Sequence, residues 1–183
     1  MRRTRLVSFG VITLLTTPLF ASGGQHDMHT GAGSSELVAQ VREITERFKD
    51  PQEAINEGYA PSPACVSGPV DGAMGIHFVK MGFLFDNGRI NVSEPEALIY
   101  EPRDGALRLV GVEYIVTVKD WHDNNPPEVR NAAPVLDGQL FQFVDAPNRF
   151  GLDPFYELHV WAWRNNPRGA FVDWNTLVSC EGR

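Results

Sequence analysis

The sequence predicts an α+β domain, with an N-terminal helix pair packed on a curved, mainly antiparallel sheet that closes part of the way into a barrel. Apolar residues recur at helical spacing near residues 37–48, ahead of every strand-like segment. Beyond Met74 the pattern changes to short runs rich in Val, Ile, Leu, Phe and Tyr. Several of these runs are joined by hairpin-length turns such as Arg103-Asp-Gly105.

Residues 1–23 have the layout of a secretory signal peptide. Arg2, Arg3 and Arg5 give a basic start, Leu6 to Phe20 an apolar run, and Ala21-Ser-Gly-Gly24 a small-residue cleavage region. Ser8, Gly10, Thr13, Thr16 and Thr17 interrupt the run, which falls short of the ~20 apolar residues that span a bilayer. The mature chain is therefore expected in the periplasm or outside the cell, with no membrane span after cleavage. The Arg2-Arg3 pair leaves Sec and twin-arginine export both open. Losing the three arginines takes the formal charge from −7 to about −10, which excludes nucleic acid as a partner on electrostatic grounds.

Residues 24–34 lack periodicity and are rich in Gly, as in a disordered leader. His26 and His29 lie here beside Met28. If the mature chain began at Gly24, His26 would be its third residue and could help hold copper or nickel; the alternative is two solvated histidines. Residues 35–183 are expected to form a single globular domain.

Ser34 or Ser35 opens a helix in which Leu37, Val38, Val41, Ile44, Thr45 and Phe48 form one face. Asp50-Pro51 ends it and begins a short second helix, which Gly58 stops. Residues 59–72 read as a loop. Strands are expected over residues 74–79, 96–100, 107–118, 139–144 and 155–163, with a polar loop rich in Asn and Pro over 119–134 that includes His122. Cys65 and Cys180 are the only cysteines. Without a Cys-x-x-Cys pair they do not suit zinc, and in an exported chain they predict one disulfide closing most of the domain.

Glu113 stands in the middle of a strand that is apolar on both faces, so its carboxylate needs a partner. In the last strand Phe155, Glu157, His159, Trp161 and Trp163 share a face, and His77 lies in the first strand. His77, Glu113 and His159, together with Glu157, make a candidate site for a divalent transition metal, since two imidazoles and a carboxylate suit iron, zinc, manganese or copper. Two other readings use the same residues. One is a buried hydrogen-bond network with no ligand. The other is an apolar-guest pocket lined by Trp161, Trp163, Phe141, Phe143 and Tyr114. The expected function is binding of a metal ion or small ligand by an exported protein, with a metal-dependent enzyme or a purely structural domain as the alternatives. Ser62, Ser67 and Ser179 lack a nucleophile elbow, and no phosphate loop is present.

The phrases Gly72-Ala-Met-Gly-Ile-His77, Leu107-Arg-Leu-Val-Gly-Val-Glu-Tyr114, Tyr156-Glu-Leu-His-Val-Trp-Ala-Trp-Arg-Asn-Asn-Pro167, Trp174-Asn and Val178-Ser-Cys180 resemble those of a family of exported bacterial proteins of unknown function. The resemblance spans residues 36–180 and implies an exported single domain; it transfers no catalytic residues.

Overall fold

The structure is a computed structural model and describes residues 32–182. The signal-peptide reading and the His26–His29 pair lie outside the described residues, as does most of the 24–34 leader.

Helical spacing builds α1 (Ala32–Thr45), which continues through a 3-10 turn at Glu46–Lys49. The side chain of Asp50 accepts from Gln52 N at 2.9 Å and caps α2 (Pro51–Asn56), where Pro51 occupies the first turn. Leu37, Val41, Phe48 and Ala54 are buried against the sheet. Tyr100 donates its hydroxyl proton to Phe48 O at 2.6 Å and so joins helices and sheet.

The remaining elements are β1 (Ala60–Gly68), β2 (Gly72–Val79), α3 (Met81–Leu84), β3 (Ala97–Arg103), β4 (Ala106–Thr117), α4 (Val118–Asn124), α5 (Pro127–Arg130), β5 (Val135–Leu136), β6 (Gln139–Leu140), β7 (Gln142–Val144) and β8 (Phe155–Val160). Six strands form an antiparallel sheet in the order β1-β2-β3-β4-β8-β7, curled into a half-barrel. The hairpin between β3 and β4 turns at Asp104 and Gly105, both with positive φ (53° and 72°), the geometry that suits a right-twisted two-residue hairpin. Among the described residues no helix is long and apolar enough to cross a membrane.

β4 is apolar on both sides because both sides are covered. Val112, Tyr114 and Val116 face the helices together with Tyr100 and Leu158. The opposite face carries Ala97, Ile99, Ile115, Phe155 and Trp161 in two apolar clusters. The register slips between Ile99 and Tyr100, where Ile99 pairs with Gly111 and Tyr100 with Leu109. Val110 is thus an extra residue, and the alternation of β4 reverses there: Val110 joins the cluster of Ile99 and Trp161, and Leu109 the helix side.

Several sequence expectations need correction. Residues 60–68 are a strand rather than loop. Pro61 and Pro63 conceal it, and they are tolerated because β1 is an edge strand with shifted register. Residues 118–130 hold two short helices, the first capped by Thr117 accepting from Asp120 N. The expected 139–144 strand is broken at buried Phe141: Gln139–Leu140 pairs with Val135–Leu136, and Gln142–Val144 with β8. Strand β8 ends at Val160, and Trp163 leaves its face. The Trp163 indole donates to Thr45 Oγ1 at 3.0 Å and lies 3.8 Å under the Lys49 ammonium.

Cys65 and Cys180 form a disulfide with a Cα–Cα distance of 5.7 Å, tying β1 to the C-terminal tail. Such a bond is compatible with an oxidising, extracellular location.

Candidate metal centre

Strand pairing brings the candidate residues together on the face turned away from the helices. Glu113 of β4 pairs directly with His159 of β8 and, on its other side, with Ala97 of β3. His77 of β2 pairs with Ile99. Backbones two strands apart are separated by roughly 10 Å. The small side chain of Ala97 leaves room for His77 and Glu113 to meet across β3, with His77 Nε2 3.2 Å from Glu113 Oε2. Glycines permit this close sheet. A Cβ on Gly75 (φ 110°) would lie 2.6 Å from Tyr100 O, and one on Gly111 2.6 Å from Val160 O. Each glycine stands two residues before a site residue, in the strand that carries it.

His77, Glu113, Glu157 and His159 are all buried, with His159 fully so. Trp161 stacks on His159 (centroids 6.0 Å apart), Phe150 meets His77 edge-on at 5.7 Å, and the two imidazoles stand perpendicular at 6.0 Å. One donor atom from each of His77, Glu113 and His159 lies within 4.8 Å of the others. A bound ion with bonds of 2.0–2.2 Å spaces its donors roughly 3–4 Å apart, so only small side-chain rotations separate the set from a coordination sphere.

A second set shares His159 and adds Glu157 and Asp173, again within 4.8 Å. Asp173 Oδ1 is 3.6 Å from His159 Nδ1 and accepts from Gln142 Nε2 at 2.7 Å. Nothing in the sequence singles out Asp173, which lies in a tail without periodicity. The fold of that tail places it. Trp161 Nε1 donates to Val172 O, Asn166 Nδ2 donates to Trp174 O, and Asn175 bridges to Ala73 near the start of β2.

Burial dominates the electrostatics. It lowers the pKa of His77 to about 4 and that of His159 to about 3, so both imidazoles are neutral at physiological pH, the form that ligates metals. Burial raises both Glu113 and Glu157; a hydrogen bond between the two carboxyls raises Glu157 further and holds Glu113 down. Asp173 is also raised, again chiefly by burial. Away from this cluster, burial raises Glu96 to about 8, although its Oε2 accepts from Ile115 N at 2.9 Å.

Among the described residues, the six atoms His77 Nδ1 and Nε2, Glu113 Oε1, Glu157 Oε2, and His159 Nδ1 and Nε2 are buried and make no hydrogen bond of ordinary geometry, although Glu113 Oε2 and the Gly75 backbone approach His77 and Asp173 approaches His159. Compared with protein-family models, curated proteins and solved structures, the chain matches none. The reading of the centre therefore rests on its geometry.

The aromatic pocket expected from sequence does not form around these residues. Tyr114, Phe141 and Trp163 belong to the helix-side core, and Phe143 is 57% exposed. A different cavity, with walls from β1, α3 and the 150–155 segment, reaches His77 and Glu113. His122 is exposed.

Proposed function

We propose that the protein binds one divalent transition-metal ion through a nitrogen of each of His77 and His159 and an oxygen of Glu113, and that it does so as an exported protein. The observation that carries this reading is that one donor atom from each of His77, Glu113 and His159 lies within 4.8 Å of the others, in a buried cluster whose polar atoms make few hydrogen bonds of ordinary geometry. A structural hydrogen-bond network stabilises only when its members are satisfied, because each unpartnered buried polar group costs about 1–3 kcal/mol. An ion supplies the missing partner to several of them at once. Asp173 beside Nδ1 of His159 leaves Nε2 for the ion, an arrangement in which an outer carboxylate orients a ligating imidazole. Glu157 then serves as the hydrogen-bond partner of Glu113. The disulfide is compatible with that compartment.

A metal-dependent enzyme using the same residues is the second reading, favoured by the cavity that touches His77 and Glu113. Turnover on a substrate panel separates it from a binder.

Elemental analysis of the protein purified from the periplasm or medium tests the metal reading. About one ion per chain is expected, and His77→Ala and His159→Ala should each lose nearly all of it while keeping their circular dichroism. Folded variants that retain the full metal content would remove these residues from the site. A metal-free natural protein that also takes up no added ion would remove the site altogether.

A further inference from the structure

An ion bound by His77, Glu113 and His159 has to reach a closed site. Their side chains are 3%, 1% and 0% exposed. Although His77 and Glu113 border the cavity, both ring nitrogens of His77 and Oε1 of Glu113 are shut off from solvent. Asp173 is different. Its side chain is 22% exposed and accepts from Gln142, an exposed residue of β7 at the edge of the sheet. Strand register sets a row of residues running inward from that edge. Gln142 pairs with Glu157 of β8; His159, on the same face of β8, pairs with Glu113 of β4, and beyond it lies His77. Glu157 hydrogen-bonds to Asp173 on one side and to Glu113 on the other, so carboxyl groups follow one another from the edge to the buried set.

We propose that Glu157, Asp173 and Nδ1 of His159 form an entry site, which takes a divalent transition-metal ion from solvent and passes it to His77, Glu113 and Nε2 of His159. The inference rests on the metal reading above. The three entry residues offer donor atoms within 4.8 Å of one another. Glu157 Oε2 and His159 Nδ1 are buried and make no hydrogen bond of ordinary geometry, so they are free to receive an ion, and Asp173 puts a negative charge where the cation arrives. A neutral imidazole has one lone pair, so His159 serves one ion at a time. The two sets are therefore successive positions of a single ion. It rests in the inner one, because two imidazoles suit a transition metal better than one. Glu157, kept protonated by burial, gives its proton to solvent on capture and regains it when the ion moves inward. That move also shifts the ring proton of His159 from Nε2 to Nδ1, where Asp173 accepts it. At rest the dication is balanced by the carboxylates of Glu113 and Asp173.

Stopped-flow uptake of zinc by the metal-free full chain, and release of zinc from the loaded protein into excess EDTA, test this with Asp173→Asn. Asparagine keeps a carbonyl that can accept from Nδ1 and from Gln142 but loses the charge. Uptake and release are both expected to slow by about tenfold or more, and the equilibrium affinity to change by less than about threefold, because a barrier on the path acts in both directions. Met81→Trp, at the cavity rim and 54% exposed, should leave both rates unchanged. Faster release with unchanged uptake would make Asp173 an orienting residue only and overturn the inference, as would any result for Asp173→Asn in which release does not slow. Slowing by Met81→Trp would place the entry at the cavity and overturn it too. In each of these cases zinc still binds and the metal reading stands; failure of zinc to bind at all removes both.

Discussion

A saturating divalent ion is expected to raise the melting temperature of the metal-free protein by roughly 10 °C, and to raise that of His77→Ala or His159→Ala by almost nothing. A ligand at about a thousand times its Kd adds about 4 kcal/mol to the stability of the folded state. A domain of this size gains about 2–4 °C per kcal/mol.

The gain should depend on pH, and its sign follows from the buried groups. His77 and His159 have folded-state values of about 4 and about 3, below the ordinary 6.5. Their contribution is present above about pH 6.5 and is lost as pH falls through those folded values, because the unfolded chain binds the protons more readily. The carboxyls act oppositely. Glu96 is raised from 4.5 to about 8, and Glu113 and Glu157 are raised too. Their contribution is full below about pH 4.5 and is lost as pH rises through the folded values. The metal-free protein should therefore melt highest in mildly acidic solution and weaken toward pH 8. Metal ligation needs Glu113 ionised, so the ion should add more at pH 8 than at pH 5. Melting curves at both values, with and without zinc, read this directly. A gain that survives in both alanine variants, or one larger at pH 5, contradicts it.

Removing the disulfide by Cys65→Ser with Cys180→Ser is expected to cost about 4–5 kcal/mol, from the loop-closure entropy of a bridge of this span. The two cysteines are 115 residues apart, so the bridge restricts most of the described chain beyond the N-terminal helices in its unfolded state. The bond also anchors the tail that carries Asp173, packing Cys180 against the cluster of Ala73, Ile99, Val110, Trp161 and Val178. The double variant should thus also bind metal less tightly. Urea unfolding of the oxidised protein and the double variant measures the first effect, and a loss below about 1 kcal/mol would show that the bridge constrains little.

The three central residues were legible in the sequence for a simple reason. Glu113 and His159 stand in strands where an ionisable group breaks an apolar pattern, and period-two alternation puts each on a definable face. His77 was legible in the same way, between Ile76 and Phe78. What alternation could not show was the Val110 bulge, past which the face reverses. Nor could it show the end of β8 at Val160, which turns Trp163 from the site toward Thr45 and Lys49. The aromatic side chains therefore line other parts of the fold. Tyr114 alternates with Glu113 and so faces the helices, and Phe141 sits at a break between two pairings. Pro61 and Pro63 made an edge strand look like loop, and the Asn- and Pro-rich 119–134 stretch concealed two short helices. Asp173 had no local signal at all; side-chain hydrogen bonds from Trp161, Asn166 and Asn175 to backbone carbonyls of the tail, and one from Gln142 to its carboxylate, bring it to His159.

An anomalous-difference map from zinc-loaded crystals, collected at the zinc absorption edge, tests the central claim most directly. One peak is expected, about 2.0–2.2 Å from a nitrogen of His77, a nitrogen of His159 and an oxygen of Glu113. No peak at that position, with both imidazoles hydrogen-bonded to protein or water instead, would contradict the account.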